Sequence, residues 1–128
     1  MRDNLYPPSY GYIMRSFRTD DMSLVSGDVV EFSNTTKIRK CVHNDVSKCL
    51  VGTFIGMNAK NISLVAISGS VIRCRIEVGG TASIGDRLYK STVSDGSLSK
   101  NAHFELYAIS LQNVLNAGDN VFIQCLLK

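Results

Sequence analysis

From Gly27 onward the chain is written in short apolar runs, each stopped within a few residues by Gly, Asn, Asp or Ser. The runs VVEFS, KIRKCVH, LVGTFIGM, NISLVAIS, SVIRCRIEV, DRLYKS, HFELYAIS and VFIQCLL are rich in β-branched and aromatic residues, which suit a pleated, half-buried surface. No stretch keeps a helical apolar period through three turns. A chain patterned this way buries its apolar residues by stacking or closing sheets. The expectation is an all-β protein, a small barrel or sandwich of about eight or nine short strands. With 128 residues there is room for one such domain.

Individual runs say more. In SVIRCRIEV, alternation sets Val71, Arg73, Arg75 and Glu77 on a wet face and Ile72, Cys74, Ile76 and Val78 on a dry one. VFIQCLL is apolar on both faces and reads as a central strand. NISLVAIS and SVIRCRIEV meet at Gly69-Ser70, a glycine-first pair suited to a type II′ hairpin.

Glycine–aspartate pairs punctuate the strand starts. Gly27-Asp28 precedes VVEF, Gly85-Asp86 precedes RLYKS, and Gly118-Asp119 precedes NVFIQCLL. Glycine supplies the positive φ of a turn or bulge, and aspartate accepts hydrogen bonds from nearby amides. Three occurrences at one kind of position argue for a backbone role over a catalytic one. Ser94-Asp95-Gly96-Ser97 reads as a hairpin turn, type I′ or one ending in a glycine bulge, with SLSK as the returning strand. The stretch GDRLYKSTVSDGSLSK lacks the closely spaced glycines opening onto a helix that a phosphate loop requires.

Residues 1–22 differ in kind from residues 23–128. They hold both prolines, Pro7 and Pro8, three of the five tyrosines, Tyr6, Tyr10 and Tyr12, together with Arg2, Arg15, Phe17 and Arg18, and show no periodicity. Disordered tails are poor in aromatics. The segment is therefore expected to be an extended arm that orders by lying on something: a partner, or the open end of its own domain. Tyr6, Pro7, Pro8, Tyr10, Tyr12, Arg15, Phe17 and Arg18 are its candidate contact residues.

Charge and cysteine content exclude several classes. A net charge of +3, evenly spread, does not mark a nucleic-acid binder, and Lys37, Arg39 and Lys40 read as a solvated strand face. No apolar run is long enough to span a bilayer, and the polar start MRDNLYPPSYGY is unlike a secretion signal, so the expected site of synthesis and residence is the cytoplasm. In that compartment Cys41, Cys49, Cys74 and Cys125 are expected as thiols; their spacing, even with His43 near Cys41, does not suit zinc, and no cofactor is expected.

The order of elements resembles a group of small β-rich phage virion proteins. The matching features are Gly27-Asp28 before a strand, G-x-A-x-x-G-D-x-L at Gly80 to Leu88, the Asp95-Gly96 turn, and a late A-I-x-L…A-G-D-x-V from Ala108 to Val121. One branch of that group comprises head decoration (cement) proteins. Another comprises β-domains of tail fibres and spikes, including autoproteolytic intramolecular chaperone domains. The resemblance covers residues 27–128 and leaves the arm outside it. It implies a tulip-like barrel module, often trimeric, on the capsid surface of a virion. Its partner would be the major capsid protein, and it would act by stabilising the shell, not as an enzyme. The alternative it implies is a tail-associated β-domain.

Two further readings carry less sequence support. Autoproteolysis would need Ser68 or Ser70 beside a base such as Lys90, His43 or His103. Oligonucleotide binding would need aromatics interleaved with Arg73 and Arg75, and their own strand has none.

Overall fold

A computed structural model describes residues 11–45, 49–101 and 106–128. Among these residues the chain forms ten strands and no helix: β1 Met14–Thr19, β2 Val29–Phe32, β3 Lys37–Lys40, β4 Leu50–Ala59, β5 Ile62–Ala66, β6 Val71–Arg75, β7 Arg87–Lys90, β8 Leu98–Ser99, β9 Leu106–Ser110 and β10 Phe122–Leu127. The first five close a barrel in the order β1-β3-β2-β4-β5, and the others form a five-stranded sheet in the order β6-β10-β9-β7-β8. The all-β expectation holds, and VFIQCLL is the inner strand β10, between β6 and β9.

Two cores explain the apolar runs. Val30, Ile38, Phe54 and Val65 fill the barrel interior. Val29, Cys41 and Ala66 turn the other way and join Ile72, Cys74, Ile76, Leu88, Leu98, Ala108, Ile123, Cys125 and Leu127 between barrel and sheet. Adjacent residues of β2 (Val29 and Val30) and of β5 (Val65 and Ala66) thus feed different cores, so these strands are covered on both faces. The two layers are linked by a buried polar contact, Thr53 Oγ1 to Tyr107 OH at 2.7 Å.

The structure corrects the arm. Residues 14–19 are not a separate extension but β1, which closes the barrel by pairing antiparallel with β5 (Met14↔Ala66 through Arg18↔Ile62) and parallel with β3. Its strand character is hidden in sequence because one face is open to solvent and MRSFRT offers little apolar alternation. Phe17 packs on the barrel core and meets Phe32 edge-on, ring centroids 5.9 Å apart. It is a structural residue, not a free contact residue.

The β5–β6 connection is a second correction. β5 belongs to the barrel and β6 to the sheet, so Gly69-Ser70 is a crossing between layers and not a hairpin. Gly69, with φ 94°, is the third residue of the turn closed by Ser70 N–H to the Ile67 carbonyl at 3.1 Å, the type II position and not the first position of type II′. The alternation of SVIRCRIEV also stops early. Beyond β6 the chain turns, which buries Glu77 and leaves Val78 54% exposed.

Two of the Gly-Asp pairs build the same device. At 25–28 and at 83–86 the aspartate N–H bonds the carbonyl three residues back (3.0 and 2.9 Å), its side chain accepts from that residue's N–H (2.9 and 2.8 Å), and the glycine has φ 101° or 93°. The third pair departs: the left-handed residue is Asn120, φ 55°, not Gly118, because the turn falls two residues later, against Val121. At 94–97 the positive φ is confined to Gly96, φ 69°, which excludes type I′ and leaves the glycine-ended form. β7 and β8 do pair as the expected hairpin, Tyr89↔Ser99 and Lys90↔Leu98.

Residues 80–86 and 110–117 meet in space. Ala82 and Val114 exchange backbone hydrogen bonds (2.9 and 2.8 Å), the Ala117 N–H bonds Gly80 O, and the Ser110 N–H bonds Asp86 O. The loop before β7 and the loop before β10 are thereby stitched into one unit at one end of the sheet.

Candidate functional site

Three places hold chemistry worth weighing: a buried ion-pair seam, the serine and histidine candidates, and the surface where the chain enters β1.

The seam begins at β3. Lys37, Arg39 and Lys40 are partly exposed, and each is also paired: Lys37 on the surface, Arg39 and Lys40 with buried carboxylates. Lys37 Nζ lies 2.6 Å from Asp20, Arg39 holds Glu31 through Nε and Nη2 at 3.0 and 2.8 Å, and Lys40 Nζ lies 3.4 Å from Asp28. Glu31 and Asp28 have no solvent exposure. Lys90, 2% exposed, reaches Glu31 Oε1 at 2.9 Å, and Arg75 Nε reaches Asp28 at 2.8 Å while its guanidinium stacks over Phe122. The ion pair with Glu31, together with a nearby bond to Asp45, raises the Arg39 pKa further. All the cations of the seam are spent on carboxylates of the same chain, so its role is to join barrel and sheet.

Asp28 and Asp86 therefore share a turn but not a load. Asp86 closes a half-exposed loop, whereas Asp28 also neutralises two cations inside the protein. Asp28→Ala is expected to lower unfolding stability by about 3 kcal/mol, as for a broken buried pair, and Asp86→Ala by about 1 kcal/mol, as for a lost cap. Urea denaturation of the two variants side by side checks the ratio.

At the rim of the seam, Asp95 accepts from His43 twice, at 2.9 Å from the backbone and 2.6 Å from Nδ1. Burial works to raise the Asp95 pKa, but these bonds and Lys40 outweigh it and hold the carboxyl below its ordinary value. A depressed folded-state pKa contributes stability above the unfolded value of about 3.9, lost as pH falls through the folded one. The melting temperature of Asp95→Asn is thus expected to lie below that of the parent near pH ~6 and to converge with it near pH ~2, both pairs of melts followed by circular dichroism.

The candidate nucleophiles and bases are not brought together. Ser70 is buried and clamps Ile13, accepting from its N–H at 2.8 Å and donating to its carbonyl at 3.2 Å. Ser68 lies on an exposed turn, His43 is bonded to Asp95, and Lys90 to Glu31; His103 falls outside the described residues. Burial pushes the Cys41 thiol up to about 12, and a bond to Cys74, with burial, raises Cys125, so neither offers a thiolate at neutral pH. Among the described residues no group of three or more His, Cys, Asp and Glu side chains is placed to hold a metal.

The remaining site is the approach to β1. Tyr6, Pro7, Pro8 and Tyr10 lie outside the described residues. Tyr12, Ile13 and Met14 follow one another on the surface, 47%, 53% and 51% exposed, with Arg15 and Arg18 exposed further along. Beside Tyr12 is a cleft of about 300 Å³, lined by Gly27, Ile55, Ile72, Arg73, Phe122 and Gln124 among others. The sequence pointed to Tyr12 through the aromatic content of its segment. It gave no sign of the cleft, whose walls come from four distant parts of the chain.

Fold and site define an all-β barrel-and-sheet protein with an apolar approach to its first strand and no assembled catalytic constellation among the described residues. Comparison with protein-family models, with curated proteins and with solved structures finds no match.

Proposed function

We propose that the protein is a structural component of a phage virion, a decoration (cement) protein that binds the major capsid protein on the outside of the head and stabilises the shell. The observation that carries this reading is the exposed run Tyr12–Ile13–Met14 at the foot of a segment rich in tyrosine and proline. Contiguous exposed apolar residues mark interaction surfaces, and aromatics give large contact area at low entropic cost. The internally neutralised seam supports a building block over a ligand-binding or catalytic site. In this reading the protein is a homotrimer. Linking three weak contacts in one oligomer lowers the off-rate without a strong single contact.

The test is binding to isolated heads that lack the protein. The full chain is expected to co-sediment with them and to raise the temperature at which they release DNA. A chain lacking residues 1–10 is expected to lose most of that binding; a deletion reaching residue 20 would remove β1 and open the barrel, so it is not informative. Absence of binding by the full chain, or its location in the tail of intact particles, would overturn the proposal.

A further inference from the structure

The side of the five-stranded sheet turned away from the barrel has an unusual composition for a face left to water. The strand registers align Val71, Leu126, Ile109 and Arg87 in one row across β6, β10, β9 and β7. Arg73 and Gln124 stand in the next row, where Leu111 joins them by donating its N–H to the Gln124 carbonyl at 2.8 Å. The alternate residues Ile72, Cys74, Cys125, Ala108 and Leu88 are buried in the core between sheet and barrel, so these two rows point outward. The wet face of an antiparallel sheet is ordinarily polar. Here Val71, Leu126 and Ile109 are half-buried aliphatics that belong to neither core, and Leu111 is 40% exposed.

The charge of the face is one-sided as well. Arg73 and Arg87 are exposed at its two margins, and neither has an ion pair or a side-chain hydrogen bond among the described residues. The five strands carry no carboxylate. Asp86, next to Arg87 in sequence, is occupied with the Ser83 N–H, and Asp28 is held by Arg75 and Lys40.

We propose that this face docks a protein segment that is both acidic and aliphatic, with carboxylates on Arg73 and Arg87 and an apolar side chain laid over Leu126 and Ile109. Charge complementarity and spacing select that partner. Arg73 and Arg87 stand on strands three spacings apart, roughly 14 Å. In an extended chain, residues four apart lie on one side at about 13 Å, with one further side chain between them on that side. The planar guanidinium takes a carboxylate through two parallel bonds, and arginine is common where apolar interfaces end. Other occupants match less well. A second copy docked face to face would bring the same arginines and no carboxylate. The ten residues before Gly11 hold one arginine and one aspartate, so they bring no surplus of negative charge. A nucleic acid has the right charge, but it binds sheets by stacking bases on aromatics. Between Arg73 and Arg87 the side chains are aliphatic or amide, and the Phe122 ring is already covered by Arg75, 4.7 Å from its centroid. The inference does not rest on the virion reading, which places its contacts at Tyr12–Ile13–Met14.

The test is an NMR titration of the isotope-labelled full chain with the peptide acetyl-Asp-Thr-Val-Thr-Asp-amide. Amide shifts are expected at Val71, Arg73, Arg87, Ile109, Leu111 and Leu126. Affinity is expected to fall at least about tenfold in the double variant Arg73→Gln/Arg87→Gln, and equally when both aspartates of the peptide are replaced by asparagine, the size of one charge-assisted hydrogen bond. Lys60→Gln removes an exposed cation from the barrel and is expected to change nothing. No shifts with the acidic peptide, shifts centred elsewhere, or equal binding of the asparagine peptide overturns the proposal. Tighter binding of a short oligothymidylate to the same residues also overturns it and makes the face a nucleic-acid surface. No heads are involved, so failure here is distinct from failure of the capsid reading.

Discussion

Replacing Glu31 by alanine is expected to destabilise the protein by about 3–5 kcal/mol, the range for removing one partner of a buried ion pair. Glu31 has no solvent exposure and is shared by two cations, Arg39 through a two-nitrogen grip and Lys90 through its other oxygen. Without it Arg39 is left with Asp45, whose side chain is 30% exposed and which bonds it at 3.1 Å. Lys90→Met should cost less, because Glu31 keeps its bond pair with Arg39. Chemical denaturation of both single variants and of Glu31→Met/Lys90→Met checks this. The double variant is expected to recover part of the Glu31→Met loss, since a buried pair replaced by packed apolar groups is often close to neutral. Equal losses for the two single variants would show that the seam is less tightly shared than its geometry implies.

Gly52→Ala is the second large effect, at about 3 kcal/mol, the upper part of the range for overpacking a filled core. A Cβ at this position would sit 2.1 Å from the carbonyl oxygen of Ala66 and 2.7 Å from Val65 Cγ1. The first neighbour is backbone of a paired strand, which no rotamer change can clear. Relief requires β4 and β5 to part where Thr53 and Ala66 pair. At Gly56, also in β4, no atom lies within 4 Å of the added carbon, so Gly56→Ala is the control and is expected to be near neutral or slightly stabilising. Thermal melts of the two alanine variants separate crowding from the general effect of adding a methyl group to this strand.

Much of the strand content was readable because VVEF, SVIRCR and VFIQCLL carry local signals, β-branched residues and turn chemistry, that do not depend on what they pack against. β1 was not readable. MRSFRT has a single aromatic and exposes most of its side chains, and its strand state comes from the edges of β5 and β3. The hairpin expected at Gly69 failed for a similar reason. The glycine does require positive φ, but whether the next strand folds back or crosses to another layer is decided by which edge is open. At the candidate site, the aromatic segment marked Tyr12 in advance, while the cleft exists only because Gly27, Ile55, Ile72 and Phe122, distant in sequence, meet beside it.

The charged residues divide in the same way. The sequence by itself determined the all-β class, the turns at Gly27-Asp28, Gly85-Asp86 and Asp95-Gly96, and the central place of β10, since these follow from side-chain period and from φ preferences acting within a few residues. Only the tertiary structure decided that Asp28 and Glu31 are buried anchors while Asp86 is a loop cap. The same Gly-Asp turn occurs at 27–28 and 85–86, yet Arg75 and Lys40 reach only the first. Ion pairing depends on charges meeting across sheets, and that distance is set by barrel closure.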